Sequence, residues 1–180
     1  MSHNPKLQAL CGEFDRGEIA REEFLRRCTQ HVAREIDCSR AGIWIFMNTA
    51  EGRVLHCLGM YDATRARWVS VPDESGPSVR TYFDALTRAG HVMAADACIH
   101  PATAGFFEAK LKATDVRSLM AASFAVNGEL FGAFTCTQVG VPMAWTHRQL
   151  ATLKQIGARS SLALSGATAS AGRTTQSAGL

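Results

Sequence analysis

The chain has no Cys-x-x-Cys pair and no His-x₃-His, although its 180 residues include six cysteines and six histidines. Cys11, Cys28, Cys38, Cys57, Cys98 and Cys136 lie far apart, which excludes a zinc-finger spacing and a thioredoxin-like motif. Several stand in apolar stretches, where cysteine behaves as a small hydrophobe. No run approaches the ~18 apolar residues of a membrane-spanning helix, and the stretch from Met1 to Lys6 lacks the apolar core of a signal peptide. The expected setting is cytoplasmic, with reduced thiols and no membrane association. Acidic residues are missing from 139–180, which leaves that stretch at +4 against −1 for the first 138 residues. No dense Lys/Arg face with interleaved aromatics accompanies this charge, so no nucleic-acid partner is expected. Internal repeats are also absent.

What is present is a hairpin. Residues 117–126 and 129–138 are two nearly uncharged runs joined by Asn127-Gly128. That dipeptide tolerates the positive φ that a type I′ turn needs at both central positions. Strands apolar on both faces are covered on both faces, which puts the hairpin at the centre of a sheet. Gly132 and the small residues Ala121, Ala122 and Ala133 suggest that a helix approaches closely there. The length suits one domain with extensions, large enough to bury about 70% of its unfolded surface.

Around the hairpin the periodicity predicts helices over about 4–14, 20–36, 78–87, 102–113 and 146–165, the last opened by Thr146 as N-cap. Strands are expected over 40–47, 53–61, 68–71 and 91–95. The order predicts an α+β fold: an antiparallel sheet with terminal helices on one face and the middle helices and loops on the other. A cavity between sheet and middle loops would suit a small ligand. The expected division is an N-terminal helical extension over 1–19, a domain over 20–166 and a disordered tail over 167–180, small and polar until Leu180.

The stretch from about 20 to 165 resembles a GAF domain of the bacterial sensor-kinase and diguanylate-cyclase type. The resemblance rests on Arg40-Ala-Gly-Ile-Trp-Ile-Phe46, Tyr82-Phe-Asp-Ala-Leu86, Ala95-Asp-Ala97 with Pro101, Val116-Arg-Ser-Leu-Met120, Gly128-Glu-Leu-Phe-Gly132 and Trp145-Thr146. Met143 departs from the pattern, standing where such proteins usually carry Arg, which removes a charged contact ahead of the last helix. The resemblance implies a six-stranded antiparallel sheet, small-molecule sensing or protein interaction, and homodimers through the first and last helices. It names no ligand, so the cofactor is unknown. The bilin-binding members carry a Cys-His or Cys-Tyr pair where this chain has Phe106-Phe107, so the thioether anchor is missing. The cyclic-nucleotide pattern is absent as well.

Six residues are the expected ligand contacts: Trp44, Trp68, Tyr82 and Phe107 as apolar walls, Asp96 as a polar anchor at the mouth, and Arg117 for an anionic group. Phe106 joins the aromatic candidates. Each has a plainer reading, namely core packing for the rings, a turn for Asp96 and pairing with Asp96 or Asp115 for Arg117. No catalytic residue and no metal site are expected. Cys98 lacks an evident resolving partner for sulfoxide or peroxide chemistry, and His56, His91 and His100 lack ligand spacing. The preferred function is a non-enzymatic sensor that binds a small molecule and signals to a protein in trans. The alternatives are a ligand-free dimerisation module and a thiol redox sensor or free methionine sulfoxide reductase-like enzyme using Cys98.

Overall fold

The computed structural model describes residues 5–174. Two helices, α1 (Pro5–Asp15) and α2 (Arg21–Ile36), precede strands β1 (Arg40–Thr49), β2 (Gly52–Asp62), β3 (Arg67–Val69) and β4 (Glu74–Ser75). Helix α3 (Pro77–Ala89), β5 (His91–Ala94), α4 (Ala104–Ala109) and a 3-10 turn (Leu111–Thr114) follow. The hairpin β6 (Val116–Val126) and β7 (Glu129–Val139) leads to α5 (His147–Thr174). The sheet is antiparallel, in the order β3-β2-β1-β7-β6-β5. The two-residue β4, a seventh strand that no periodicity signals, pairs with Val54 and Leu55 of β2.

The hairpin is central, as its lack of charge requires. Asn127 and Gly128 take φ of 51° and 83°, the left-handed values of a two-residue turn, and Val126 faces Glu129 across it. Side chains alternate between two cores. Met120, Ala122, Phe124, Phe134 and Cys136 meet α1, α2 and α5, whereas Val116, Leu119, Ala121 and Ala133 meet α3, α4 and the 3-10 turn. Gly132 serves a different purpose from the one expected. A Cβ on Gly132 would sit 2.2 Å from the Trp44 carbonyl oxygen, so it is the neighbouring strand, not a helix, that demands glycine there. Gly157 of α5 does bring the helix down onto the sheet, because a Cβ there would lie 3.2 Å from Phe124 Cβ.

The last helix is capped as its sequence suggests. The Thr146 hydroxyl accepts from the Gln149 amide nitrogen at 3.1 Å, while Gln149 Oε1 accepts from the Thr146 N–H at 2.9 Å, a reciprocal capping box. Gln149 Nε2 also donates to the Ile36 carbonyl at 2.8 Å, tying α5 to the end of α2. Met143 packs against the terminal-helix core, and its N–H donates to Ser118 Oγ at 2.6 Å. The helix continues to Thr174, so the tail expected over 167–180 begins as helix, with Ala167 buried and its carbonyl accepting from Arg21 Nε at 2.8 Å. Residues 175–180 lie outside the described residues.

The apolar stripe of α5 is consumed within the chain. Leu153, Ser160 and Leu164 are completely buried, and Leu150 and Ile156 nearly so. They cannot also form the seam of a dimer, and the large apolar side chain left outward on this helix is Leu162, 70% exposed.

Candidate functional site

Opposite the terminal helices, the sheet and its roof enclose a cavity of about 280 Å³. Its floor is Trp44, Leu55, Met60, Leu119, Ala133, Thr135 and Thr137; Tyr82, Leu86, Phe106 and Leu111 close it from α3, α4 and the 3-10 turn, and Val71 and Pro72 from the β3–β4 loop. Its size falls just below the roughly 300–1,000 Å³ typical of ligand cavities. Another cleft, of about 400 Å³, is a surface groove beside the β1–β2 turn, lined by the exposed Thr49, Glu51, Gly52 and Arg53. The smaller cavity has the buried apolar walls that a ligand site needs.

Two hydroxyls in these walls have no partner. Tyr82 Oη and Thr137 Oγ1 are both buried without a hydrogen bond, and the third such side-chain atom among the described residues is Trp68 Nε1, outside the cavity. An unsatisfied buried hydroxyl costs roughly 1–3 kcal/mol. Burial pushes the Tyr82 phenol well above its ordinary range, so it remains a neutral donor and acceptor. Thr135 is different, since its Oγ1 accepts from Trp44 Nε1 at 3.0 Å and so fixes the indole against the floor. The Tyr82 ring stacks on Phe106 with centroids 5.5 Å apart.

Charge is confined to the rim and is paired there. Arg40 Nε donates to Asp62 Oδ2 at 3.2 Å. Asp62, only 2% exposed, also accepts from the backbone N–H groups of Thr64 and Arg65 and from the Thr64 hydroxyl. Burial alone would raise this carboxyl, but the Thr64 and Arg40 contacts outweigh it and hold Asp62 below the usual carboxylate range. At the other side, Lys110 Nζ lies 3.5 Å from Glu74 Oε2. Burial pushes the Glu74 carboxyl up against the opposing pull of Lys110.

Of the six expected contacts, the cavity brings together Trp44 and Tyr82, and Phe106 with them. Trp68 packs toward the terminal helices instead, its ring lying over Gly59 (a Cβ there would fall 2.0 Å from Trp68 Cζ2). Phe107 is buried in the correct core but does not line the cavity. Asp96 makes a turn: its Oδ1 accepts from the Cys98 N–H at 2.9 Å. Arg117, half-buried at a register shift in β6, lies off the lining and among the described residues pairs with neither Asp96 nor Asp115. Cys98 is exposed and also off the lining. His56 bonds Asp73 at 2.8 Å, His91 contacts the Ala89 carbonyl at 2.9 Å, and His100 Nδ1 accepts from the Ala102 N–H at 3.2 Å. Among the described residues no group of three His, Cys, Asp or Glu side chains is placed to hold a metal ion. No described helix is long and apolar enough to cross a membrane.

Sequence reading missed Arg40, Glu74, Lys110, Thr135 and Thr137. The threonines carried a usable signal. They alternate with Phe134 and Cys136 along a central strand, so one of its two buried faces is polar.

Residues 20–164 match the family model of the GAF domain. No curated protein matches the chain. Solved structures show the same fold at low identity. The chain is similar to JSC1_58120g3 in its far-red absorbing dark state with bound biliverdin IXa, at 16% identity, covering 90% of this chain and 98% of that one with a TM-score of 0.70. It is similar to the phycocyanobilin-bound GAF domain of a cyanobacterial phytochrome, at 15% identity with 93% and 96% covered and a TM-score of 0.68. A GAF domain/HD domain protein from Geobacter sulfurreducens matches at 12% identity, with 84% and 96% covered and a TM-score of 0.61.

Proposed function

The chain belongs to the GAF domain family, and we propose that it is a sensory module whose ligand is a small molecule held between the sheet and α3, α4 and the 3-10 turn. The observation that carries this reading is the cavity itself, about 280 Å³ of space walled by buried apolar side chains and holding two unpartnered hydroxyls. A domain built only to pack would close such a space, because its lining atoms lose dispersion contacts. Similar structures hold bilins. Here Phe106 stands in the wall, and no cysteine lines the cavity, so the reading is a reversible, non-covalent ligand.

The module acts by binding, not catalysis. Cys98, the thiol of the redox alternative, stands off the cavity lining, and burial pushes the thiols of Cys11 and Cys57 up to about 11. Output passes by contact to a signalling protein in trans or to a second copy. Because Leu153 and Leu164 are sealed inside, the homodimer of this reading uses the outer surface of α5 around Leu162.

A thermal-shift screen against a metabolite library tests the reading, run on the wild type beside Leu119→Phe, which fills the cavity from its floor. At least one compound should raise the wild-type melting temperature and leave the variant unmoved. Equal shifts in both proteins would place binding elsewhere and sink the cavity as the sensor site.

A further inference from the structure

The cavity's charge balance and its two idle hydroxyls narrow the ligand. Both rim cations already have an anion: Arg40 bonds Asp62 at 3.2 Å and Lys110 lies 3.5 Å from Glu74. A buried anionic ligand needs a cation that is not already neutralised, and a buried cationic ligand needs an anion likewise. Glu74 gives no such anion, since its partner is in place and burial already works against its ionised form. Inside the rim the wall is apolar apart from hydroxyls. Thr135 Oγ1 is occupied by the Trp44 indole, whereas Tyr82 Oη and Thr137 Oγ1 have no partner. Tyr82 stands in the helical roof and Thr137 in the strand floor, so a molecule that settles between the layers can draw a hydroxyl partner from each. Each hydroxyl both donates and accepts, which suits a ligand hydroxyl, carbonyl or amide equally.

Size gives the remaining limit. A dry engineered cavity of about 150 Å³ in another protein takes benzene, and the space here, about 280 Å³, is roughly twice that. We propose that the cavity takes a neutral, largely apolar molecule of about two fused rings bearing a hydroxyl, carbonyl or amide group read by Tyr82 and Thr137. This rests on the cavity being the sensor's ligand site.

Equilibrium dialysis with three probes of one shape tests it: 2-naphthol, which is neutral with a hydroxyl; naphthalene, which has none; and 2-naphthoate, which is an anion. The expected result is 2-naphthol bound about tenfold more tightly than either of the others. Tyr82→Phe, which removes one oxygen and keeps the ring, should bring 2-naphthol down toward naphthalene and leave naphthalene unchanged. Thr137→Val should act in the same direction from the sheet side. Preferential binding of 2-naphthoate would overturn the neutral class while leaving the cavity as a ligand site. Equal binding of naphthalene and 2-naphthol, indifferent to both variants, would show that the hydroxyls read nothing. If no probe bound, the ligand-site reading beneath the proposal would fall with it.

Discussion

The two faces of the sheet are served by the same strands and finished in opposite ways. Toward α1, α2 and α5, Phe24, Leu25, Cys28, Phe134, Leu153 and Leu164 are completely buried. Long helices with regular stripes fill that side, with α5 set down on the sheet at Gly157 and tied to α2 by Gln149. Toward the middle of the chain, α3 shares the roof with the six-residue α4, a 3-10 turn and the β3–β4 loop. Short elements that change direction every few residues cannot present a continuous ridge to the sheet, and the mismatch is the cavity. One face supplies stability, and the other accepts some loss of it for an interior that can be occupied.

The contrast is broken most severely on the filled face. Leu153→Ala should cost about 4 kcal/mol in urea denaturation, because close-packed neighbours cannot collapse into the space. Leu55→Ala, on the cavity wall, should cost about 2 kcal/mol, since Leu55 already faces empty volume on one side. Equal losses would mean that the two faces are packed alike. For the same reason, glutamate at Leu153 and Leu164 would unfold the chain instead of separating a dimer.

A smaller effect of opposite sign is expected inside the cavity. Tyr82→Phe removes a buried hydroxyl with no partner and should stabilise the ligand-free protein by about 1 kcal/mol. A destabilising result would show that the hydroxyl is already satisfied and that the cavity is not poised for a ligand. The smallest effect lies outside both cores. Leu162→Glu should change stability by less than about 0.5 kcal/mol yet reduce the sedimentation coefficient at micromolar concentration. An unchanged sedimentation profile would remove α5 as the dimer surface.

How far the sequence reached follows the same division. Asn127-Gly128, the N-cap Thr146 and the helical period of α5 all express local rules of turn, cap and repeat, and each forms the element expected of it, although the α5 stripe is spent inside the chain and not on a second copy. The cavity was only half legible. Trp44 and Tyr82 were recognisable as bulky aromatics on periodic elements. Trp68 was not placed, because alternation distinguishes two faces without saying which is hollow. β3 is a three-residue strand whose face follows from its pairing of Trp68 with Tyr61. Phe106 and Phe107 are neighbours on one short helix, and a difference of one residue decided which reached the cavity. Glu74 belongs to a strand too short to leave a periodic signal. Lys110 meets it only through the fold, and Arg40 finds Asp62 only through the register of β1 on β2.

Native mass spectrometry of the purified protein, set against its denatured mass, tests the hollow face most directly. The expected result is a folded species carrying the extra mass of one small molecule per chain, released on denaturation and absent from Leu119→Phe. Identical native and denatured masses per chain, in protein expressed alone and in protein incubated with cell extract, would contradict it.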